Sequence, residues 1–256
     1  MIDFHLHLRD ERGYLDGILR AYDRAGIEKG VAFGLGRVIG ELENPGTLRL
    51  AARHKDRLVP FAFLRLGKDS PRTVARMADQ GFRGFKVTWP TGPYDDRRFW
   101  PVYAAVQRAG LPILFHTGIV LRSRADARRP LSSLWMRPAA LDLVARRFPR
   151  LKMVAAHLGG PWFDEAFMMA RLHPNLWLDV SAGSGWIAKG MDARYFRRKL
   201  AWWGGVSKLV FATDQPHTVL TVARRVSEWK GILRALRPSR EAARAFWDAN
   251  ARHILS

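Results

Sequence analysis

Two histidines near the start of the chain have the spacing of a chelating pair on a β-strand. In residues 2–8 (IDFHLHL) successive side chains alternate between two faces, which puts His5 and His7 on one face together with Asp3. Imidazole nitrogens are common ligands of divalent metals. Because two such rings on an otherwise apolar strand need a compensating partner, the pair predicts a cation site.

Four further polar residues mark other strand-like segments: Lys86, His116, His157 and Asp214. Any one of them alone is more often structural than catalytic, and only their joint pattern indicates a functional site. The remaining histidines fall on predicted helices, turns or loops and are interpreted as structural: His54, His173, His217 and His253. His217 is the exception, because it follows Asp214 by three residues and could reach a substrate.

The composition limits the ligands of such a site. The chain has no cysteine, so a metal must bind to histidine and carboxylate groups, and disulfides are excluded. No basic leader with an apolar core opens the sequence, and no apolar run approaches the roughly 18 residues of a membrane span. We therefore expect a cytoplasmic protein with no membrane partner.

Eight strand-like segments alternate with helical patterns along the 256 residues. The segments cover 2–8, 30–36, 58–64, 82–87, 111–117, 151–157, 175–181 and 208–214, and helical patterns follow each of them. This order predicts one (β/α)₈ barrel over 1–256, with 217–256 forming C-terminal helices. Catalytic groups of such barrels sit at the carboxyl ends of the strands, where these polar residues fall. An open doubly wound sheet is the alternative, supported only by the weak Gly34-Leu35-Gly36 signal.

Local signals support these boundaries. Ser70 before Pro71 predicts a helix start, and Gly26, Gly81 and Gly110 predict helix ends. The longest connection, 118–137, follows the fifth strand and is a candidate lid or substrate-contact segment.

The chain is strongly basic, with a net charge of +20. Its arginines and lysines are dispersed, with no block of five or more, which favours solvated helix faces over nucleic-acid binding. A positive field also draws anions into a cleft. The expected partner is a small anionic substrate rather than nucleic acid, and a homodimer is compatible with the sequence.

At these residues the sequence resembles the amidohydrolase superfamily, in the amidohydrolase-related branch that contains aminocarboxymuconate semialdehyde decarboxylase and related decarboxylases, lactonases and hydratases. The resemblance spans the whole chain in order. The matching stretches are IDFHLHL at 2–8, GFRGFKV at 81–87, PILFHTG at 112–118, AAHLGGPW at 155–162, NLWLDVS at 175–181, LVFATDQP at 209–216 and ANARHIL at 249–255.

The resemblance implies a role for each candidate. His5, His7 and His116 would be metal ligands, and Asp214 would bind the metal and accept a proton from a metal-activated water. His157 would orient or activate that water, or bind a second ion. Zinc suits these ligands best, with manganese or iron as alternatives, and one ion is favoured over two.

Lys86 has two interpretations under this resemblance. It is either carboxylated and bridges two metals, or unmodified and binds a substrate carboxylate, and the second is favoured. Other residues expected in loops beside the site would contact an anionic or aromatic substrate: Arg9, Trp89, Arg122, Arg124, Trp135, Trp162 and His217. The short connection after the first strand argues against transferring any particular relative's substrate.

Three functions follow from these residues. The first is hydrolysis of an amide, lactone or ester-like bond in a small, carboxylate-bearing substrate. The second is non-oxidative decarboxylation of a small aromatic or unsaturated acid. The third, of another class, is a TatD-like metal-dependent nuclease or a basic nucleic-acid-binding protein. The segment GFRGFKVT at 81–88 lacks the glutamate expected of such nucleases, and simple nucleic-acid binding leaves the histidines unexplained.

Overall fold

The computed structural model describes residues 1–120, 131–181, 190–201, 205–215 and 222–256. Its strands are β1 (Ile2–His7), β2 (Lys29–Phe33), β3 (Leu58–Pro60), β4 (Ala62–Leu64), β5 (Phe85–Val87), β6 (Ile113–Phe115), β7 (Met153–Ala155), β8 (Leu176–Asp179) and β9 (Leu209–Val210). His217, Arg122 and Arg124 lie outside the described residues.

The helices alternate with these strands as the sequence predicts. They are α1 (Tyr14–Ala25), α2 (Asn44–Arg53), α3 (Pro71–Asp79), α4 (Trp100–Arg108), α5 (Leu141–Arg147), α6 (Phe163–Leu172), α7 (Ala193–Lys199), α8 (Val222–Leu236), α9 (Arg240–Arg244) and α10 (Asn250–Leu255). A π-helical turn, Ala245–Ala249, joins the last two. In the described part of the chain, no helix combines the length and apolar character needed to cross a membrane.

Each predicted strand is present, and the third is divided in two. Pro60 ends β3 and has no amide hydrogen to donate to a ladder. Phe61 follows as a fully buried residue outside both strands, and β4 begins at Ala62. The predicted continuous strand 58–64 is therefore wrong in its middle, although its two parts have the expected positions.

The predicted helix boundaries are confirmed by capping geometry. Ser70 caps α3 by accepting a hydrogen bond from the Thr73 amide, with Pro71 in the first turn. Gly26, Gly81 and Gly110 follow helices α1, α3 and α4 with φ of 74°, 101° and 68°. That left-handed conformation favours glycine, as the sequence indicated.

The chain divides into two compact units. Unit 1 contains 1–59, 179–254 and 256, and unit 2 contains 60–178 and 255. In unit 1, β1 lies parallel to β2, and the Phe4 amide donates to the Phe211 carbonyl just after β9. Helices α1 and α7 both pack on α8. Tyr22 and Trp229 are fully buried in this unit.

In unit 2, the parallel strands β4 to β8 are neighbours in chain order. The register aligns Phe63 with Lys86, and Lys86 with Leu114. Helices α3 and α4 pack against each other in the same unit. The carboxyl ends of β5, β6 and β7 therefore lie side by side, which brings together the residues that follow them.

Candidate active site

In unit 1, three potential ligand atoms converge. The Nε2 atoms of His5 and His7 lie 3.1 Å apart, and Asp214 Oδ1 lies 3.3 Å from the first and 3.2 Å from the second. Two ligand atoms each about 2.0 Å from a tetrahedral zinc ion are about 3.3 Å apart. The three atoms thus have the mutual spacing of ligands to one small cation.

Carboxylates hold the outer nitrogens of both rings. His5 Nδ1 lies 2.7 Å from Asp179 Oδ2, and His7 Nδ1 lies 2.9 Å from Glu41 Oε1. A carboxylate at Nδ1 fixes the proton there and leaves Nε2 with a lone pair for a metal. Two lone pairs and a carboxylate oxygen at about 3 Å repel one another unless positive charge lies among them. These donors fit a divalent metal.

The electrostatics of His7 agree with that interpretation. Burial lowers the pKa of this ring, but the negative charge of Glu41 and the hydrogen bond to Asp214 outweigh burial and raise the pKa above its ordinary value. The surroundings of His7 therefore favour a positive charge at this place.

The outer carboxylates are themselves fixed in position. Asp179 Oδ1 accepts from the Ser181 amide at 2.9 Å and from its hydroxyl at 2.5 Å. Glu41 Oε2 accepts from the Leu35 amide at 2.9 Å. Both carboxylates are almost fully buried, at 0% and 1% exposed. They can therefore orient the two imidazoles without rearranging.

Asp3 does not join the histidines, contrary to the alternation pattern. Between Asp3 and Leu6, β1 contains one more residue than β2 does, and this irregularity breaks the strict two-residue period. The Asp3 carboxylate instead accepts from the Tyr22 hydroxyl at 2.6 Å and from the Thr213 amide at 2.9 Å. Burial raises the pKa of Asp3 to about 6, although these hydrogen bonds oppose the rise.

Backbone conformation distinguishes three of the predicted site residues. Asp214, His157 and Trp89 have φ of 60°, 60° and 50°, and they are among five non-glycine residues with positive φ in the described part of the chain. This region costs a non-glycine residue on the order of 1 kcal/mol and is enriched at functional sites. The Asp214 amide donates to the His5 carbonyl at 2.9 Å, which ties the strained residue to β1.

A buried arginine also belongs to unit 1. Arg225 on α8 is fully buried, and its Nη1 lies 3.0 Å from Glu228 Oε2. Burial lowers its pKa, while the charges of Glu228 and Asp214 act in the opposite direction. Arg225 thus adds buried positive charge to a region rich in carboxylates.

Unit 2 pairs the other two histidines. His157 Nε2 lies 3.1 Å from His116 Nδ1, and the rings meet edge to face with centroids 4.8 Å apart. The amide of His116 donates to the Val87 carbonyl at 2.8 Å, and its own carbonyl accepts from the Tyr94 hydroxyl at 2.6 Å. His116 directly follows β6 and His157 follows β7 by one residue more, as the sequence predicts for strand ends.

Lys86 is buried in the middle of β5, with 1% of its surface exposed. An ammonium group at such a position needs an acceptor, a counter-charge or a bound anion. Its neighbour across the sheet, Phe63, lies edge to face with Trp89, with ring centroids 5.9 Å apart. Lys86, Phe63 and Trp89 therefore combine a cation with aromatic surface in unit 2.

The remaining predicted substrate residues lie in structured surroundings. Arg137 places its guanidinium 5.4 Å from the ring centroid of Trp162 and pairs with Glu165. Arg9 pairs through its backbone with Glu41, the residue that holds His7. Substrate contacts by Arg9, Trp89, Trp162 and His217 stay predictions.

Sequence reasoning missed Asp179 and Glu41. Asp179 ends β8, so the rule that selected the other strand-end residues would have selected it too. Glu41 lies in the connection between β2 and α2, where no periodic pattern marks it. Only the contact with His7 reveals its position in the site.

Comparison with known proteins places this arrangement in a family. The Amidohydrolase family model (Amidohydro_2) matches residues 2–256. The chain belongs to the amidohydrolase family. It is therefore a member of an enzyme family, and the metal dependence expected from the resemblance agrees with the donors found in unit 1.

Solved structures establish the fold of this amidohydrolase. An uncharacterised TIM-barrel protein from Bordetella bronchiseptica is 20% identical, with a TM-score of 0.72 and coverage of 100% of this chain and 98% of that one. A 5-carboxyvanillate decarboxylase from Sphingomonas paucimobilis is 17% identical (TM-score 0.66, coverage 100% and 98%). A probable 2-pyrone-4,6-dicarboxylic acid hydrolase from Acinetobacter baumannii is 13% identical (TM-score 0.67, coverage 99% and 98%).

At these identities the likeness shows the fold alone, which is the predicted (β/α)₈ barrel. No curated protein matches the chain. A single domain over 1–256 stays a prediction, as does the homodimer.

Proposed function

We propose that this amidohydrolase is a hydrolase that uses one divalent metal to open an amide, lactone or ester-like bond in a small anionic substrate. The observation that carries the proposal is the spacing of 3.1–3.3 Å among His5 Nε2, His7 Nε2 and Asp214 Oδ1. Each imidazole in that group is oriented by a buried carboxylate, as in histidine ligands of metalloenzymes.

The proposed ligands are His5, His7, Asp214 and His116. His116 is included because it matches the family's ligand after the fifth barrel strand, which is β6 here because the third strand is divided in two. Nitrogen and carboxylate donors suit zinc, and manganese or iron are alternatives. When bound, such an ion supplies Lewis acidity and lowers the pKa of water toward about 7. One ion is favoured, with Lys86 unmodified.

The chain's own residues would transfer protons, orient the attacking water and bind the substrate. Asp214 accepts the proton of the attacking water through a carboxylate oxygen. His157, hydrogen-bonded to His116, orients that water, and the proton held by Asp214 then passes to the leaving group. The Lys86 ammonium binds a substrate carboxylate within a largely buried setting, where a charge pair is strong.

Non-oxidative decarboxylation is the second candidate. Its support is that a structure with this fold is a 5-carboxyvanillate decarboxylase, although the identity of 17% carries the fold and not the reaction. The aromatic pair of Phe63 and Trp89 near Lys86 would suit an aromatic acid. Membership of this family favours hydrolysis or decarboxylation of a small molecule over a nuclease activity. A cytoplasmic location is proposed together with this function.

The test is a substrate panel on the zinc-loaded and manganese-loaded protein. The panel contains lactone dicarboxylates, assayed by ultraviolet absorbance for ring opening, and hydroxybenzoic acids, assayed for release of CO₂. Ring opening that disappears in Asp214→Asn supports the hydrolase, whereas CO₂ release alone supports the decarboxylase. If loaded protein turns over neither class, the proposed substrate chemistry is wrong.

A matched variant tests the role of Lys86. Lys86→Met keeps the length of the side chain and removes the charge. We expect KM for a carboxylate substrate to rise about tenfold or more with a smaller change in kcat, because a binding contact is lost. Loss of bound metal in this variant would instead support a carboxylated lysine that bridges two ions.

A further inference from the structure

Unit 1 contains a cavity of about 320 Å³ whose lining includes none of the proposed metal ligands. It lies along α2 and under the connection between β1 and α1. Small-molecule sites commonly have volumes of about 300–1,000 Å³, so the cavity can hold a ligand of roughly dipeptide size.

One side of this cavity is basic. Arg49 and Arg53 are four residues apart on α2 and so lie on the same helix face, and Arg9 adds a third guanidinium from the end of β1. The Arg9 Nε atom is buried and has no hydrogen-bond partner among the described residues. A buried N–H group without an acceptor destabilises the folded protein, and a bound anionic group would supply the missing acceptor.

The other side is acidic. Asp10 and Glu11 come from the connection after β1, and Asp16 comes from the first turn of α1. Among the described residues, none of these three carboxylates forms an ion pair with the three arginines, although all six groups line one cavity. The two sets of charges are therefore available to a ligand.

The lining also has an apolar part, formed by Leu15, Leu42 and Leu50. A ligand of one charge sign would meet a wall of like charge, whereas a ligand with both signs satisfies both walls. An apolar group between its charges would bury surface against the leucines.

We propose that this cavity binds a zwitterion of dipeptide size, whose carboxylate contacts the arginines and whose ammonium contacts the carboxylates. The inference does not rest on the proposed hydrolase function. It assigns a ligand site to residues of which sequence analysis had singled out only Arg9.

The experiment is calorimetric titration of the full chain with glycyl-leucine. We expect saturable binding that weakens at least tenfold in Arg49→Gln/Arg53→Gln. The control is Arg20→Gln/Arg24→Gln, which removes the same charge from two exposed arginines of α1 outside the cavity lining. Undetectable binding of glycyl-leucine, or equal weakening in both double variants, would overturn the proposal.

Two single-charge analogues sharpen the test and do not depend on the arginine variant folding. N-acetyl-glycyl-leucine lacks the ammonium and glycyl-leucinamide lacks the carboxylate, and each should bind at least tenfold more weakly than glycyl-leucine. In Asp10→Asn/Asp16→Asn the acidic wall is reduced, so the N-acetyl compound should gain affinity relative to wild type. Equal affinities of all three compounds for the wild-type chain would contradict a site built for both signs.

Discussion

The histidines of unit 1 and those of unit 2 differ in what holds their rings. His5 and His7 each contact a buried carboxylate through Nδ1 and turn Nε2 toward Asp214. His116 and His157 contact each other, ring to ring. The first arrangement concentrates negative charge around lone pairs, and the second joins two groups that can exchange a proton.

The difference indicates a division of roles. Three carboxylates contact the rings of the unit 1 pair, namely Glu41, Asp179 and Asp214, and the Asp3 carboxylate accepts from the backbone amide of His5. Unit 2 instead contributes the ammonium of Lys86 beside aromatic surface. Under the proposed function, unit 1 supplies the ligands His5, His7 and Asp214, whereas unit 2 supplies the ligand His116, a proton-transfer group and a contact for an anionic substrate.

The largest expected effect follows from removing the unit 1 pair. The wild-type chain should retain about one equivalent of zinc after loading and desalting, and His5→Ala/His7→Ala should retain none, because two of the proposed ligands are gone. Elemental analysis of metal per chain gives the answer. His54→Ala/His253→Ala is the matched control and should keep the metal. A full equivalent in the His5/His7 variant would remove the basis for assigning the cation to unit 1.

The second prediction concerns the unit 2 pair. His157→Gln should keep the metal content of the wild type but lower kcat by about 10²- to 10⁴-fold, the usual contribution of a positioned acid or base. Steady-state kinetics on whichever substrate the panel identifies, together with metal analysis, measures both quantities. A parallel loss of metal would mean that His157 is a ligand, which would support the two-ion alternative and contradict a proton-transfer role for this histidine.

The third prediction concerns the carboxylates behind the unit 1 rings. Asp179→Asn and Glu41→Gln should each weaken zinc affinity by about 10- to 100-fold, as is typical when a partner of a metal-bound histidine is changed. Competition with a chromogenic chelator measures the Kd. Asp142→Asn is the control, because Asp142 makes a similar contact, 2.8 Å, to His173 in unit 2. An unchanged Kd in both carboxylate variants would show that the rings need no such orientation.

Sequence alone predicted the alternating elements and placed His5 and His7 on the first strand, with His116, His157 and Asp214 at or after the ends of later strands. It succeeded because these features depend on local periodicity and on a rule of barrel architecture. The match of the Amidohydrolase model over 2–256 confirms the family that the same stretches indicated.

The features of the site that the sequence did not predict depend on contacts between residues far apart in the chain or on local irregularities. The Glu41 carboxylate reaches His7 across 34 residues of sequence, and nothing in its own neighbourhood marks it. Asp3 was placed with the histidines by strict alternation, which the extra residue in β1 breaks. An irregularity of one residue has no local sequence signal, yet it changes which side chains share a face.

The smallest expected effect compares one buried hydroxyl in each unit. Tyr22 and Tyr103 are both fully buried, but Tyr22 donates to the Asp3 carboxylate at 2.6 Å, whereas Tyr103 donates to the Tyr94 carbonyl at 2.8 Å. Hydrogen bonds to charged acceptors contribute about 1.5–3 kcal/mol and neutral ones about 0.5–1.5 kcal/mol. Tyr22→Phe should therefore lower the free energy of unfolding by about 1 kcal/mol more than Tyr103→Phe does.

Urea denaturation at neutral pH measures that difference, provided that the unfolding free energy of both variants depends on urea concentration with the same slope. The two substitutions remove the same atom from equally buried rings, so packing cancels and the charge of the acceptor remains. Equal losses would mean that Asp3 is neutral in the folded chain. Unit 1 would then surround its histidines with less negative charge, and its contrast with unit 2 would depend on Glu41, Asp179 and Asp214 alone.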